Sequence, residues 1–183
     1  EITERSQLIG GPGAQGAIGD YLIQNDKIRV IIHGRAGDTG SSTAFGGSIL
    51  DADIQRPQAE FSGGQGRDNL YELGPLVSLA VVRPESKASF SMRDDNGTAV
   101  LRVESPMGNI VDVISLFGTV VPELAVQDMW FAIEYALRPG ENFLRIGVEA
   151  YREGEPQGAV DVVDMTTIQG TEPFIGILKG AVS

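Results

Sequence analysis

Five oxygen-bearing side chains fall within one short stretch of the chain: Asp51, Asp53, Asp68, Asn69 and Glu72. Calcium takes roughly six to eight oxygens in irregular geometry, so this set predicts a structural calcium ion that ties a long polar loop to the strands beside it. The competing reading makes the same carboxylates loop anchors, capping turns or pairing with Arg56 and Arg67. A second set is aromatic. Trp130, the sole tryptophan, shares an alternation face with Glu134, and Tyr151 joins that face by period in the partner arm. An open ring stacks on the apolar face of a sugar while flanking acids bond its hydroxyls. If a second sheet covers the face, Trp130 is core instead.

Other chemistry finds less support. Hydrolysis of a glycosidic bond needs two acids about 5 to 9.5 Å apart, and Asp51 with Asp53, or Glu72 with Asp68, are the pairs on offer. His33 is the only histidine and sits at a strand end, where a polar edge role is expected. Zinc sites without cysteine usually recruit more than one histidine. Gly11, Gly13 and Gly16 match G-x-G-x-x-G, yet they lead into a strand. The dinucleotide fingerprint needs a helix there, so that its amides meet the pyrophosphate. Asn96-Gly97-Thr98 matches a glycosylation sequon, but a tight turn accounts for Asn-Gly better.

The totals narrow the field further. A chain of 183 residues, 42% hydrophobic and 21% charged, is long enough for a proper core. Fourteen Lys and Arg against 25 Asp and Glu give a net charge of -11, a field that repels nucleic acid and anionic membranes. The absence of cysteine excludes a disulfide framework, thiolate zinc and cysteine catalysis. No apolar run approaches the length of a membrane-spanning helix. The chain begins at Glu1 without methionine, which suggests a removed leader or a piece of a longer protein.

The elements that must position these residues read as strands. Residues 1–19 are a glycine-rich entry segment. Tyr21–Gln24 and Lys27–His33 flank Asn25-Asp26 as a hairpin, with Ile28, Val30 and Ile32 facing one way and Lys27, Arg29 and Ile31 the other. Ser48–Asp53 is a short strand with Asp51 and Asp53 on one face, Leu70–Leu73 a helical turn, and Leu76–Arg83 a buried strand. A second hairpin, Ala88–Arg93 with Thr98–Ser105, turns on Asp94-Asp95-Asn96-Gly97. Its inward set is Phe90, Met92, Ala99, Leu101 and Val103. Asn109–Phe117 is a strand. The longest hairpin joins Asp128–Arg138 to Asn142–Arg152 through Pro139-Gly140-Glu141, and Ala159–Thr167 and Phe174–Leu178 follow. About ten strands without helical periodicity predict an all-β fold, an antiparallel β-sandwich of supersandwich type, with a closed or partly open β-barrel as the alternative. Residues 1–183 form one domain, as a module or fragment of a longer chain.

Two stretches resemble known families. GDYLIQNDKIRVIIH, GGSILDADI and DNLYELGPLVSL, over about Gly16–Leu79, resemble the opening of large secreted multidomain proteins of myxobacteria and their relatives. Gly19, Asn25, Asp26, Gly46, Gly47, Asp51, Ala52, Asp53, Asp68, Glu72 and Pro75 carry that likeness. WFAIEYALRPGENFLRIGVEAY, within Asp128–Tyr151, is similar to paired strands of galactose-mutarotase-like β-supersandwich domains. Mutarotases use catalytic histidines and a glutamate, and this chain has one histidine. The resemblance implies an extracytoplasmic β-sandwich, secreted or on a cell surface. The leading expectation is therefore a non-catalytic structural or assembly domain, meeting other domains or copies of itself through β-edges. A carbohydrate-binding module on the Trp130, Glu134 and Tyr151 face is the alternative, and a carbohydrate-active enzyme with paired carboxylates the third.

Overall fold

A computed structural model describes residues 1–34, 46–56, 66–77, 80–82, 88–109, 129–152 and 175–179. Within them the chain is all-β: one 3-10 turn, Arg5–Gln7, and ten strands in two antiparallel sheets that form a sandwich, with no closed barrel. The strands are β1 Tyr21–Gln24, β2 Ile28–Ile32, β3 Ile49–Ile54, β4 Leu73–Val77, β5 Ala80–Val82, β6 Ser89–Asp95, β7 Thr98–Asn109, β8 Met129–Leu137, β9 Arg145–Arg152 and β10 Ile175–Lys179. Among these residues no helix is long and apolar enough to cross a membrane.

Sheet A runs β1-β2-β3-β4-β5, with β10 also paired to β4, and sheet B runs β6-β7-β8-β9. Strand β7 belongs to both. Its first part, Thr98 to Pro106, pairs with β6 and β8, and its last part, Met107 to Asn109, pairs with β5. Pro106 stands at the change of sheet, and its lack of an N–H suits a point where one ladder ends and another begins.

Alternation decides what goes between the sheets. Ile23, Val30, Ile32 and Ile49 from sheet A meet Leu101, Val103, Ile133, Tyr135, Leu137 and Val148 from sheet B in one buried core. Tyr21 and Phe90 stack beside it, with ring centroids 4.7 Å apart and planes at 11°. Met92 has the parity expected of an inward residue and lies opposite Leu101, but it is 62% exposed. Strand β6 is the edge of its sheet, and of its two inward-parity residues Phe90 packs against the core while Met92 does not. The turn after β6 holds Asn96 and Gly97 at φ of 52° and 85°, the pair of positive values that lets a two-residue hairpin follow the strand twist.

The outer face of sheet A is also covered at β1 and β2. The entry segment crosses it as a strap, burying Ile2 and Ile9 against Ile31, with Leu8 and Leu22 alongside. Both faces of β2 are therefore buried, including Arg29, whose guanidinium donates to the Gln7 carbonyl at 2.7 Å. A β-bulge where the register shifts between Ile31 and Ile32 puts Ile49 and Asp51 of β3 on opposite sides: Ile49 opposes Ile32 on the core side, and Asp51 opposes Ile31 on the strap side.

Two expected elements differ. The helical turn over Leu70–Leu73 does not form, because Asp68 takes the Leu70 N–H and Leu73 already pairs with Ile49 in β4. The single strand expected over Leu76–Arg83 is two antiparallel strands, β4 and β5, with Val77 opposite Ala80. An apolar β-branched run does not say where it reverses. Strand β7 also continues past Ser105 to Asn109, while the expected strand Ala159–Thr167, and Asn109–Phe117 beyond Asn109, lie outside the described residues.

Polar bonds join the sheets at two places. The Asn25 amide donates to the carbonyls of Arg138 and Glu141 at 2.6 and 2.7 Å, and Asp26 accepts from the Gly140 N–H at 2.7 Å, so the β1–β2 turn is stitched to the β8–β9 turn. Inside the core the Tyr135 hydroxyl donates to the Gly47 carbonyl, and Tyr135 is fully buried. Tyr135→Phe would leave that carbonyl without its partner. Urea unfolding is expected to show a loss of about 1 to 3 kcal/mol with an unchanged m-value; an unchanged midpoint would mean that this bond does not hold the sheets.

Candidate functional site

The three aromatic and acidic residues singled out from the sequence do come to one face. In sheet B, Ile133, Tyr135 and Leu137 point into the core, so Trp130, Glu134 and Ala136 point outward. Cross-strand register sets the rows of this outer face. Pro106, Trp130 and Tyr151 form the first row; Glu104, Ala132 and Glu149 the second; Arg102, Glu134 and Gly147 the third; Val100, Ala136 and Arg145 the fourth. The rings of Trp130 and Tyr151 lie nearly parallel, at 19° with centroids 6.5 Å apart, and both are partly exposed.

Arg102 is the electrostatic centre of this face. Its guanidinium reaches Glu149 at 2.7 Å, Glu104 at 2.9 Å and Glu134 at 3.9 Å, and its side chain is only 15% exposed. Burial alone would pull its pKa down, but the hydrogen bonds it donates to Glu149 and Glu104 outweigh that and raise it. Arg93 pairs with Glu134 at 2.9 Å, and Arg145 with Glu141 at 2.7 Å. The Tyr151 hydroxyl donates to Glu104 at 3.2 Å, and burial together with that carboxylate raises its pKa. Small residues at Ala136 and Gly147 leave a cleft of about 340 Å³, lined also by Arg102, Glu134, Arg145, Ile146 and Glu149.

Arg102, Glu104, Glu149 and Arg145 were not singled out from the sequence. Their alternation parity within β7 and β9 carries the signal, but pairing β7 with β8 spans a long chain separation that no local turn fixes.

The acidic stretch divides. Asp51 is fully buried and accepts from the backbone N–H groups of Gln15 at 2.7 Å and Gly16 at 3.0 Å. Asp53 accepts from Arg56 at 2.9 Å and from the Arg67 N–H at 3.0 Å. Burial works against it, but those bonds bring its pKa below the usual carboxylate value. Asp68 is 1% exposed and bonds the N–H groups of Ala52 and Leu70 through Oδ1, while among the described residues its Oδ2 and both carboxylate oxygens of the buried Glu72 have no hydrogen-bond partner. Asn69 is exposed. Among the described residues no three His, Cys, Asp or Glu side chains converge as a metal cage.

The glycines of G-x-G-x-x-G lie against these acids. A Cβ on Gly16 would stand 2.7 Å from an Asp51 carboxylate oxygen and from Ile31, and one on Gly11 would stand 2.3 Å from the Asp68 nitrogen. Close approach of strap to sheet is what they permit. Asp20, fully buried, accepts from Ala17 and Gly34 N–H groups at the end of the same strap. His33, expected at a polar edge, is 2% exposed, and its backbone pairs with Ser48 and Gly47.

Burial pushes Asp51 up to about 6, with the Asp68 and Asp20 charges adding to it against the two N–H bonds. The folded chain thus holds this proton to about pH 6, whereas the unfolded chain releases it near 3.8. The stability that this proton confers is complete below the lower value and is lost as pH rises through the upper one, by about 3 kcal/mol in all. Asp51→Asn is expected to lower stability through one lost N–H bond and to flatten this decline between about pH 4 and 6 in urea unfolding. An equal slope in parent and variant would remove Asp51 as its source.

Comparison with known proteins adds no identity: no family model matches the chain, and neither does any curated protein or solved structure.

Proposed function

We propose that this chain is a non-catalytic β-sandwich module of a secreted or cell-surface protein, and that it binds a glycan on the outer face of sheet B. One observation carries the reading. The nearly parallel Trp130–Tyr151 pair stands in the same sheet face as a cleft walled by Arg102, Glu134, Arg145 and Glu149. Sugars present an apolar face of C–H groups and a rim of hydroxyls, and such a surface answers both, with rings for the first and charged hydrogen-bonding groups for the second. The secreted or surface setting rests on the resemblance over Gly16–Leu79.

The acids of this face are held in place for binding: Glu104, Glu134 and Glu149 all sit against Arg102, and each keeps lone pairs for a ligand hydroxyl. Assembly through β-edges is the second reading. Among the described residues β9 pairs only with β8, so that among them one edge of this eight-residue strand is unpaired, and such an edge can take a strand of a neighbouring domain.

Binding of the purified chain to a glycan array, in calcium and in excess chelator, tests the proposal. Trp130→Ala is expected to weaken binding at least tenfold, about 1.4 kcal/mol, with the urea midpoint confirming that the variant is folded. Binding lost only in chelator would move the site to the acidic stretch. No binding in either buffer by the folded parent would leave the assembly reading in its place.

A further inference from the structure

We infer that the ligand of this face is a neutral, hydroxyl-rich glycan chain longer than a disaccharide, lying along β8 and β9, with Arg102 as the residue that positions its acidic contacts. The inference rests on the glycan-binding reading above.

Length follows from register. Rows on one sheet face are about 7 Å apart, so the aromatic row and the Arg102–Glu134 row are separated by about 14 Å, with the fourth row beyond. The rings lie at one end of this strip, and the cleft between Glu134, Ala136, Arg145 and Gly147 lies at the other. A single sugar ring meets one end only. A longer chain is needed to use stacking and cleft together, and the direction of β8 and β9 is the line that joins them.

Neutrality follows from charge. Arg93, Arg102 and Arg145 are interleaved with Glu104, Glu134, Glu149 and Glu141, each arginine against a carboxylate. An anionic glycan would set its charges beside those carboxylates, on a chain of net charge -11. A cationic one would set them beside the arginines. Hydroxyls avoid both penalties, because a carboxylate that already accepts from an arginine still has lone pairs for an O–H donor. Arg102 lies low in the face and directs its N–H groups at Glu104 and Glu149. Its role is to fix those carboxylates before the ligand arrives, and pre-organisation of this kind lowers the cost of binding.

Isothermal titration with neutral gluco-, manno- and xylo-oligosaccharides of increasing length tests this, beside oligogalacturonate as the anionic probe and chitosan oligomers as the cationic one. In the neutral series that binds, affinity is expected to climb at least tenfold from disaccharide to hexasaccharide, and both charged probes are expected to bind at least tenfold more weakly. Arg102→Gln is expected to weaken hexasaccharide binding at least tenfold, toward the affinity of the disaccharide. Ala136→Gln, which obstructs the cleft and removes no charge, is expected to do the same if Arg102→Gln does not fold. Equal affinity for disaccharide and hexasaccharide would overturn the length argument. Tighter binding of a charged probe, still lost in Trp130→Ala, would overturn neutrality and keep the glycan reading. Failure of every oligosaccharide with the folded parent would overturn both.

Discussion

The passage of β7 from one sheet to the other is the constraint on which the rest depends. Because Thr98 to Pro106 pairs in sheet B and Met107 to Asn109 pairs in sheet A, one covalent strand forces the sheets to face each other along that side. Apolar parity then fills the space between them. The tip of the β1–β2 hairpin closes another part of the sandwich by bonding the turn between β8 and β9, and the Tyr135 hydroxyl reaches Gly47 through the core. With the sheets fixed in this way, the two outer faces are left to differ.

Sheet A gives its outer face to the strap, and the acids there serve backbone amides. Where β3 is not matched by a neighbouring strand, the Asp68 carboxylate takes the Ala52 N–H that a ladder would otherwise satisfy. Asp51 and Asp20 do the same for the strap itself. A carboxylate in such a place is desolvated, and the N–H dipoles only partly offset that cost, which is why Asp51 and Asp68 hold their protons more tightly than free carboxyls do.

Sheet B keeps charge on its outer face. Its arginines and glutamates alternate across the strands rather than gathering by sign, and Arg102 binds carboxylates from β7, β8 and β9. Such a network holds flat, evenly charged ground, while Ala136 and Gly147 leave room above the backbone. Fixed polar groups thus stand beside an aromatic pair on one sheet face.

Local rules made much of this legible in the chain. Asn25-Asp26, Asn96-Gly97 and Pro139-Gly140 sit in the turns that join β1 to β2, β6 to β7 and β8 to β9, and period-two alternation placed Trp130 and Glu134 opposite the core. Those signals act over a few residues, where turn geometry and side-chain parity are dictated by the chain itself. Tertiary structure decided what depends on distant partners: the reversal between β4 and β5, the extension of β7 across both sheets, and the bulge that turned Asp51 toward the strap. It also decided that Arg102, from one hairpin, would meet Glu134 and Glu149 from another. Sequence alone determined the hairpin turns and the side-chain parity of the strands beside them, because neighbours along the chain fix both. Which faces were covered, and which charges met, only the packing of distant segments settled, because burial and Coulomb energy depend on separation in space.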